Sequence, residues 1–101
     1  MSENENQVVT HEPAENRYVL TVDGEQVGFA AYTDQGGERV FTHTEIDPAQ
    51  GGKGYGSILV AGALGQVREE GLTVVPECPF VAKYVEKHHD FDDIITPAAG
   101  R

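Results

Sequence analysis

A glycine-dense segment, residues 47–57, divides the chain into two parts with different hydrophobic periods. Before it, β-branched and aromatic residues form short strand-like runs, the last of them at residues 40–46. After it, apolar residues recur at the spacing of a helix over residues 57–67. A helix that begins after such a turn directs its unpaired N–H groups and positive dipole end at the turn, and glycine lets a ligand approach the backbone closely. The segment therefore predicts a phosphate or pyrophosphate site.

The runs before this segment predict an antiparallel meander. Short turns at residues 23–24 and 34–37 separate the runs, as in β-hairpins. The three strands are predicted at residues 17–22, 26–33 and 39–46.

The rest of the chain alternates helices and strands. The first helix, at residues 57–67, is expected to end at Gly71, and its Gly62 and Gly65 are expected to pack closely on the sheet. A strand at 72–75, a helix at 79–88 and a last strand or extended segment at 91–95 follow. The order β-β-β-α-β-α-β predicts an α+β domain with a mostly antiparallel sheet and two main helices.

The length of 101 residues is enough for one small domain. Residues 1–16 are polar and contain no Lys or Arg, so we expect a mobile segment with a short first strand at 8–11. The domain is predicted at 17–96, followed by a tail at 97–101.

Composition limits the partners and the location. A formal net charge of -10 argues against nucleic acid or an anionic membrane and suits a cationic substrate such as an amine. The first residues do not resemble a signal peptide, and no stretch approaches the ~20 apolar residues of a membrane span. The single cysteine, Cys78, excludes an intrachain disulfide and a multi-cysteine zinc site. These features predict a soluble, cytoplasmic protein.

The glycine-dense segment does not identify its ligand by itself. A dinucleotide fingerprint needs G-x-G-x-x-G in a βαβ unit, but Ser57 stands where the third glycine would be. The G-x-x-x-x-G-K-[ST] pattern of a P-loop is absent. A tight turn without a ligand is the alternative.

Three side chains are candidates for chemistry. Cys78 precedes Pro79 at a predicted helix start, where the dipole favours a thiolate, which suits a nucleophile or proton donor. The alternative is a buried thiol that packs as a small hydrophobe. His43 and Glu45 share one face of a strand and could form a general-base pair. The alternative is an ordinary polar sheet face.

Other polar residues near the C-terminus are assigned no role. Tyr84 is expected to pack, and Lys83 and Lys87 to form a solvated helix face. The run 88–90, His-His-Asp, does not predict a metal site, because adjacent side chains on a helix do not converge.

In this order, these features resemble the GNAT superfamily of acyl-CoA-dependent N-acetyltransferases. The shared pattern is a strand that ends in a hydrophobic residue, here Ile46, and a [Gln/Arg]-x-x-Gly-x-[Gly/Ala] turn that opens a helix. Residues 54–56, Gly-Tyr-Gly, match its second half. A small subgroup looks closer still, because it shares His-Thr-Glu, here 43–45, and Val-Pro-x-Cys-Pro-Phe-Val, here 75–81. The resemblance covers residues 17–95.

The resemblance implies acetyl-CoA as the cofactor. The pantetheine arm would pair with the backbone near Glu45 and Ile46, as an added strand would. The pyrophosphate of CoA would lie on the amides of Gly51, Gly52, Lys53, Gly54, Tyr55, Gly56 and Ser57.

The chain departs from the GNAT pattern in several places. Gly51 stands where the superfamily prefers Gln or Arg, so altered pyrophosphate contacts are expected. Many relatives use a tyrosine as the general acid, but Val85 stands at the corresponding position here, one residue after Tyr84. Cys78 stands where larger relatives often have a cofactor-contacting Asn. The helices that shape an acceptor pocket after the first strand are missing, which implies an open acceptor site for a small-molecule, peptide or protein amine.

The resemblance implies an N-acetyltransferase that moves acetyl from acetyl-CoA to an amine. Glu45, or His43 through a water, would deprotonate the ammonium, and backbone N–H near Ile46 would polarise the thioester carbonyl. Cys78 would protonate the leaving thiolate or carry the acetyl group. The alternatives are a non-catalytic acyl-CoA-binding module and a structural domain without a cofactor.

Overall fold

The computed structural model describes residues 6–51 and 54–96. Five strands form one sheet in the order β1-β2-β3-β4-β5. The first four are an antiparallel meander, and β5 pairs parallel with β4. The strands are β1 (Gln7–Glu12), β2 (Arg17–Val22), β3 (Glu25–Gln35), β4 (Glu38–Ile46) and β5 (Thr73–Pro76). This mixed sheet with two helices confirms the predicted α+β class.

Two α-helices connect and cover the last strands. They are α1 (Tyr55–Glu69), between β4 and β5, and α2 (Pro79–Lys87), after β5. Short 3₁₀ turns lie at Pro13–Glu15, Pro48–Gln50 and Asp92–Ile94. Neither helix in the described ranges has the length and apolar character needed to cross a membrane.

Two segments differ from the sequence-based expectation. Residues 6–16, expected to be mobile around a four-residue strand, contain all of β1, which pairs with β2 along its whole length. The amide of Gln66 in α1 also donates to the Val9 carbonyl at 2.9 Å, which ties this edge strand to the helix. Residues 91–95, expected to be extended, are mostly a 3₁₀ turn, and only Ile95 forms a bridge, parallel to Val74.

The core lies between α1 and the sheet. Leu59, Ala63 and Leu64 of α1 are fully buried against strand residues that include Tyr18 and Phe41. Val81 and Tyr84 of α2 belong to the same cluster, so both helices share one core. Gly71, at φ +79°, lies just beyond α1, where it was predicted to end the helix.

Only one of the two interior glycines of α1 packs against the sheet as predicted. A Cβ on Gly62 would lie 2.6 Å from a methyl group of Val9, whereas a Cβ on Gly65 would meet no atom within 4 Å. We therefore expect Gly65→Ala to stabilise the protein by about 0.5–1 kcal/mol through helix propensity. Gly62→Ala in the same helix should be destabilising, because β1 must shift. Urea unfolding of both variants checks this, and equal effects would contradict the packing difference.

A buried polar cluster ties together the end of the sheet that lies far from the glycine turn. Arg39, only 6% exposed, donates two hydrogen bonds to Asp34 at 2.7 and 2.8 Å and one to the Tyr18 hydroxyl at 2.8 Å. The same guanidinium contacts Glu70 at 3.2 Å and lies 4.1 Å from the centre of the Tyr32 ring. The cluster joins β2, β3 and β4 to the C-terminal end of α1.

The electrostatics of this cluster follow from burial and from the guanidinium. The hydrogen bonds from Arg39 lower the pKa of Asp34 below its usual value. Burial, only partly offset by Arg39, raises the pKa of Tyr18 to about 12. Both partners therefore hold the protonation state that stabilises the cluster throughout the neutral range.

Candidate functional site

Strands β4 and β5 pair over only part of their length. The parallel ladder joins Glu38–Phe41 to Thr73–Pro76. A last hydrogen bond runs from the Cys78 N–H to the Phe41 carbonyl at 2.7 Å. Beyond it, β4 continues to Ile46 and has no further strand partner on this edge within the described residues. A gap with an exposed strand edge therefore opens between β4 and the start of α2.

A β-bulge at the beginning of the gap decides which side chains face it. Tyr32 pairs with Phe41 but Ala31 pairs with His43, so Thr42 is an extra residue in β4. Such a bulge shifts the alternation of the strand. Thr44 thereby lies opposite the core residue Ala30, and no pattern in the sequence predicts this shift.

Cys78 lies at the bottom of the gap. It is 4% exposed and is the N-cap residue of α2. Its thiol donates to the Thr44 hydroxyl at 3.3 Å. The thiol lines a cavity of about 440 Å³, here named the thiol cavity. Its lining residues are Thr42, His43, Thr44, Cys78, Pro79, Phe80 and Lys83. The predicted position of Cys78 at a helix start is confirmed, and the thiol is both buried and adjacent to open space.

His43 and Glu45 form the predicted pair on one strand face. The His43 Nε2 atom lies 2.8 Å from a carboxylate oxygen of Glu45, and both side chains are exposed. His43 lines the thiol cavity, but Glu45 does not. Glu45 instead lines a separate cavity of about 170 Å³ with Gln26, Val27, Gly28, Phe29 and Asp47, here named the acidic cavity. The pair thus connects the two cavities.

The glycine turn leads directly into α1. Gly54, at φ +76°, is the N-cap, and the Ile58 N–H donates to its carbonyl at 3.3 Å. The left-handed conformation of Gly54 explains the need for glycine there. A helix start of this kind presents first-turn N–H groups and a positive dipole end, as an anion site requires. Two predicted site residues, Gly52 and Lys53, lie outside the described residues.

A third cavity, of about 210 Å³, adjoins the thiol cavity and is here named the lysine cavity. Its lining residues are Ser57, Phe80, Lys83, Tyr84, Lys87 and His88. Phe80 and Lys83 line both cavities. Ser57 brings the first turn of α1 to the wall of the lysine cavity. Lys83 and Lys87 are exposed, as expected of a solvated helix face, and they also line this cavity, which was not predicted.

Phe80 separates the two cavities and packs over the start of α1. A Cβ on Gly56 would lie 2.2 Å from its ring, so glycine is needed for this contact. The Phe80 ring is nevertheless 41% exposed. The result is a groove that runs from Cys78 past the first turn of α1 to Lys87. This groove fits an elongated ligand with a phosphate near its middle, since the phosphate would then lie at the first turn of α1.

A family model described as GCN5-related N-acetyltransferase matches residues 17–94. The chain belongs to this family. Members use acetyl-CoA, and the groove beside α1 contains the backbone features that such a cofactor needs. The narrower assignment, to a subgroup with the Val-Pro-x-Cys-Pro-Phe-Val block, stays a prediction.

Solved structures share the fold of this GCN5-related domain. A GCN5-like protein of Staphylococcus aureus, itself proposed to be an N-acetyltransferase, has a TM-score of 0.69 and 21% identity, with 89% of this chain and 88% of that chain covered. N-acetylglutamate synthase of Neisseria gonorrhoeae, complexed with coenzyme A and N-acetyl-glutamate, has a TM-score of 0.52 and 19% identity over 65% of this chain and 18% of its own. No curated protein matches significantly.

Proposed function

We propose that this domain is an acetyl-CoA-dependent N-acetyltransferase that acts on an amine. The observation that supports this most directly is the gap between β4 and β5, with Cys78 at its bottom and the start of α1 beside it. A non-catalytic acyl-CoA-binding module is the alternative.

The backbone of the gap and of the glycine turn would hold the cofactor. The unpaired edge of β4 up to Ile46 offers N–H and C=O groups to the amide-containing pantetheine arm. The first turn of α1, after Gly54, offers donors to the pyrophosphate. Both groups of contacts use main-chain atoms. Cofactor binding would therefore tolerate Gly51 at the position where the superfamily prefers Gln or Arg.

Bound acetyl-CoA supplies a thioester carbonyl and a thiolate leaving group. His43, which lines the thiol cavity, would remove a proton from the acceptor ammonium, directly or through a water, so that the neutral amine can attack the carbonyl. Glu45 would orient the imidazole through the 2.8 Å contact. Cys78 would give a proton to the leaving thiolate, or would accept the acetyl group as the CoA thiolate leaves.

The acceptor side of the site is open. Glu45 and Asp47 both line the shallow acidic cavity on the far side of the His43 pair. Two carboxylates favour a cationic acceptor, in agreement with the net charge of -10. We propose a small-molecule or peptide amine as the acceptor and, given the single free cysteine, a reducing cytoplasmic location.

Calorimetric titration of acetyl-CoA tests the cofactor site. We expect micromolar binding that weakens at least tenfold in Gly54→Leu, because a side chain there obstructs the anion site and strains a left-handed residue. Gly71→Leu is a matched control, since Gly71 has a similar φ of +79° and equally open surroundings at the other end of α1. It should lose comparable stability and keep its affinity.

The outcomes separate the proposed functions. No binding at millimolar acetyl-CoA would contradict both the enzyme and the binding module. Binding without CoA release across a broad panel of amines would favour the non-catalytic module.

A further inference from the structure

Most of the described cations are neutralised by nearby acids. Arg17 pairs with Glu12, Arg39 with Asp34 and Glu70, and Arg68 with Asp93. The remaining two in the described ranges are Lys83 and Lys87, and neither forms an ion pair with a described residue. This absence of acidic partners contrasts with the composition, in which 17 acidic residues outnumber 7 Lys or Arg.

Both unpaired lysines lie in the same place. They are four residues apart on α2, on one helix face, and both line the lysine cavity. Lys83 also lines the thiol cavity, so it lies at the junction of the two, whereas Lys87 lies only in the lysine cavity. The cationic surface therefore begins beside the start of α1 and extends away from Cys78.

Aromatic side chains also line the lysine cavity. The Tyr84 and His88 rings stack with centroids 4.4 Å apart and planes inclined by 25°, and Phe80 borders the cavity. Tyr84 is 9% exposed, so its ring is held in place by the core. A planar base next to a phosphate would find both an apolar surface and a counter-charge here.

We propose that the lysine cavity binds the phosphorylated adenosine end of the cofactor, and that Lys83 and Lys87 recognise the phosphomonoester on its ribose. This inference rests on the proposed function. It adds that the protein discriminates CoA from dephospho-CoA, which has the same pantetheine arm and pyrophosphate but lacks this phosphate. Among the described Lys and Arg residues, only these two line the lysine cavity, and their ammonium groups have the charge that a phosphate dianion requires.

Calorimetry with CoA and with dephospho-CoA tests the proposal without any activity measurement. The parent protein should bind CoA about tenfold more tightly, because the extra phosphate gains charged hydrogen bonds. In Lys83→Gln/Lys87→Gln the preference should fall below about twofold, mainly through weaker CoA binding. Raising the salt concentration should reduce the preference of the parent protein, because both lysines are exposed.

A charge-conserving variant is the matched control. Lys83→Arg/Lys87→Arg keeps both charges and should keep the preference for CoA. Since neither lysine has an ion-pair partner in the described ranges, both double variants should unfold at the temperature of the parent protein. In NMR spectra, the amides of Lys87 and His88 should differ between the CoA and dephospho-CoA complexes.

The possible results have distinct meanings. Equal affinity of the parent protein for CoA and dephospho-CoA, or a preference that survives the glutamine substitutions, would overturn the role of the lysines and leave the cofactor site intact. Failure to bind either compound would overturn the proposed function itself.

Discussion

Cys78→Ala is expected to lower the turnover of amine acetylation by at least ~10²-fold, the usual contribution of a positioned general acid. Cys78 lines the thiol cavity, where the leaving thiolate would form, whereas Tyr84 lines only the neighbouring lysine cavity. Steady-state kinetics with acetyl-CoA and a reactive amine measure the effect. The affinity for CoA should change little, because the substitution removes one sulfur atom and no main-chain donor.

Thr44→Val is the control for a purely structural role of the thiol. It removes the 3.3 Å partner of Cys78 and keeps the shape of the side chain. We expect a loss well below that of Cys78→Ala, since the thiol itself remains. Unchanged turnover in Cys78→Ala would end the assignment of this residue to catalysis.

Mass spectrometry separates the two possible roles of Cys78. If the residue is a nucleophile, incubation with acetyl-CoA in the absence of amine should add one acetyl group to the parent protein and none to Cys78→Ala. If it is an acid, no adduct should accumulate, although turnover still depends on the thiol.

The second large effect is expected from Arg39→Met, which should reduce the free energy of unfolding by ~3 kcal/mol. The substitution keeps a long side chain but leaves Asp34, Glu70 and the Tyr18 hydroxyl without their shared donor. Tyr18 is fully buried, so its hydroxyl cannot turn to water. Urea unfolding followed by circular dichroism measures the loss.

Arg68→Met is the matched control for this prediction. Arg68 also contacts a carboxylate, that of Asp93, and an aromatic ring, that of Phe91, but its side chain is 42% exposed. Because exposed ion pairs contribute little, the control should lose well under half as much stability as Arg39→Met. Similar losses in the two variants would show that burial does not determine the contribution of Arg39.

The elements of the fold were predictable because each has a local signal. The turns at 23–24 and 34–37 and the change of period at the glycine-dense segment placed three strands and α1 to within two or three residues. The prediction for residues 91–95 was wrong because their apolar residues suggest a strand. In the structure, Arg68 donates to the Asp90 carbonyl and to the Asp93 side chain and so stabilises a compact turn.

The candidate site was predictable only in part. His43, Cys78 and the Gly54 turn could be identified because a strand end, a helix start and a glycine each have a sequence pattern. Thr44 could not be identified, because its contact with Cys78 depends on a β-bulge for which the sequence contains no recognisable pattern. Lys83 and Lys87 were likewise indistinguishable from an ordinary solvated face, since their lack of acidic partners among the described residues is a property of the surrounding surface.

The sequence by itself determined the order of the strands and helices, the glycine turn before α1 and the position of the cysteine, since these depend on short-range backbone preferences and on hydrophobic period. Only the tertiary structure decided that β4 and β5 separate after Phe41, that Cys78 lies against Thr44 and that Arg39 is buried among acids and tyrosines. The contacts of Arg39 with Tyr18 and Glu70, and of Cys78 with Thr44, join residues that are 21 to 34 positions apart, where packing, burial and charge are set by the whole fold.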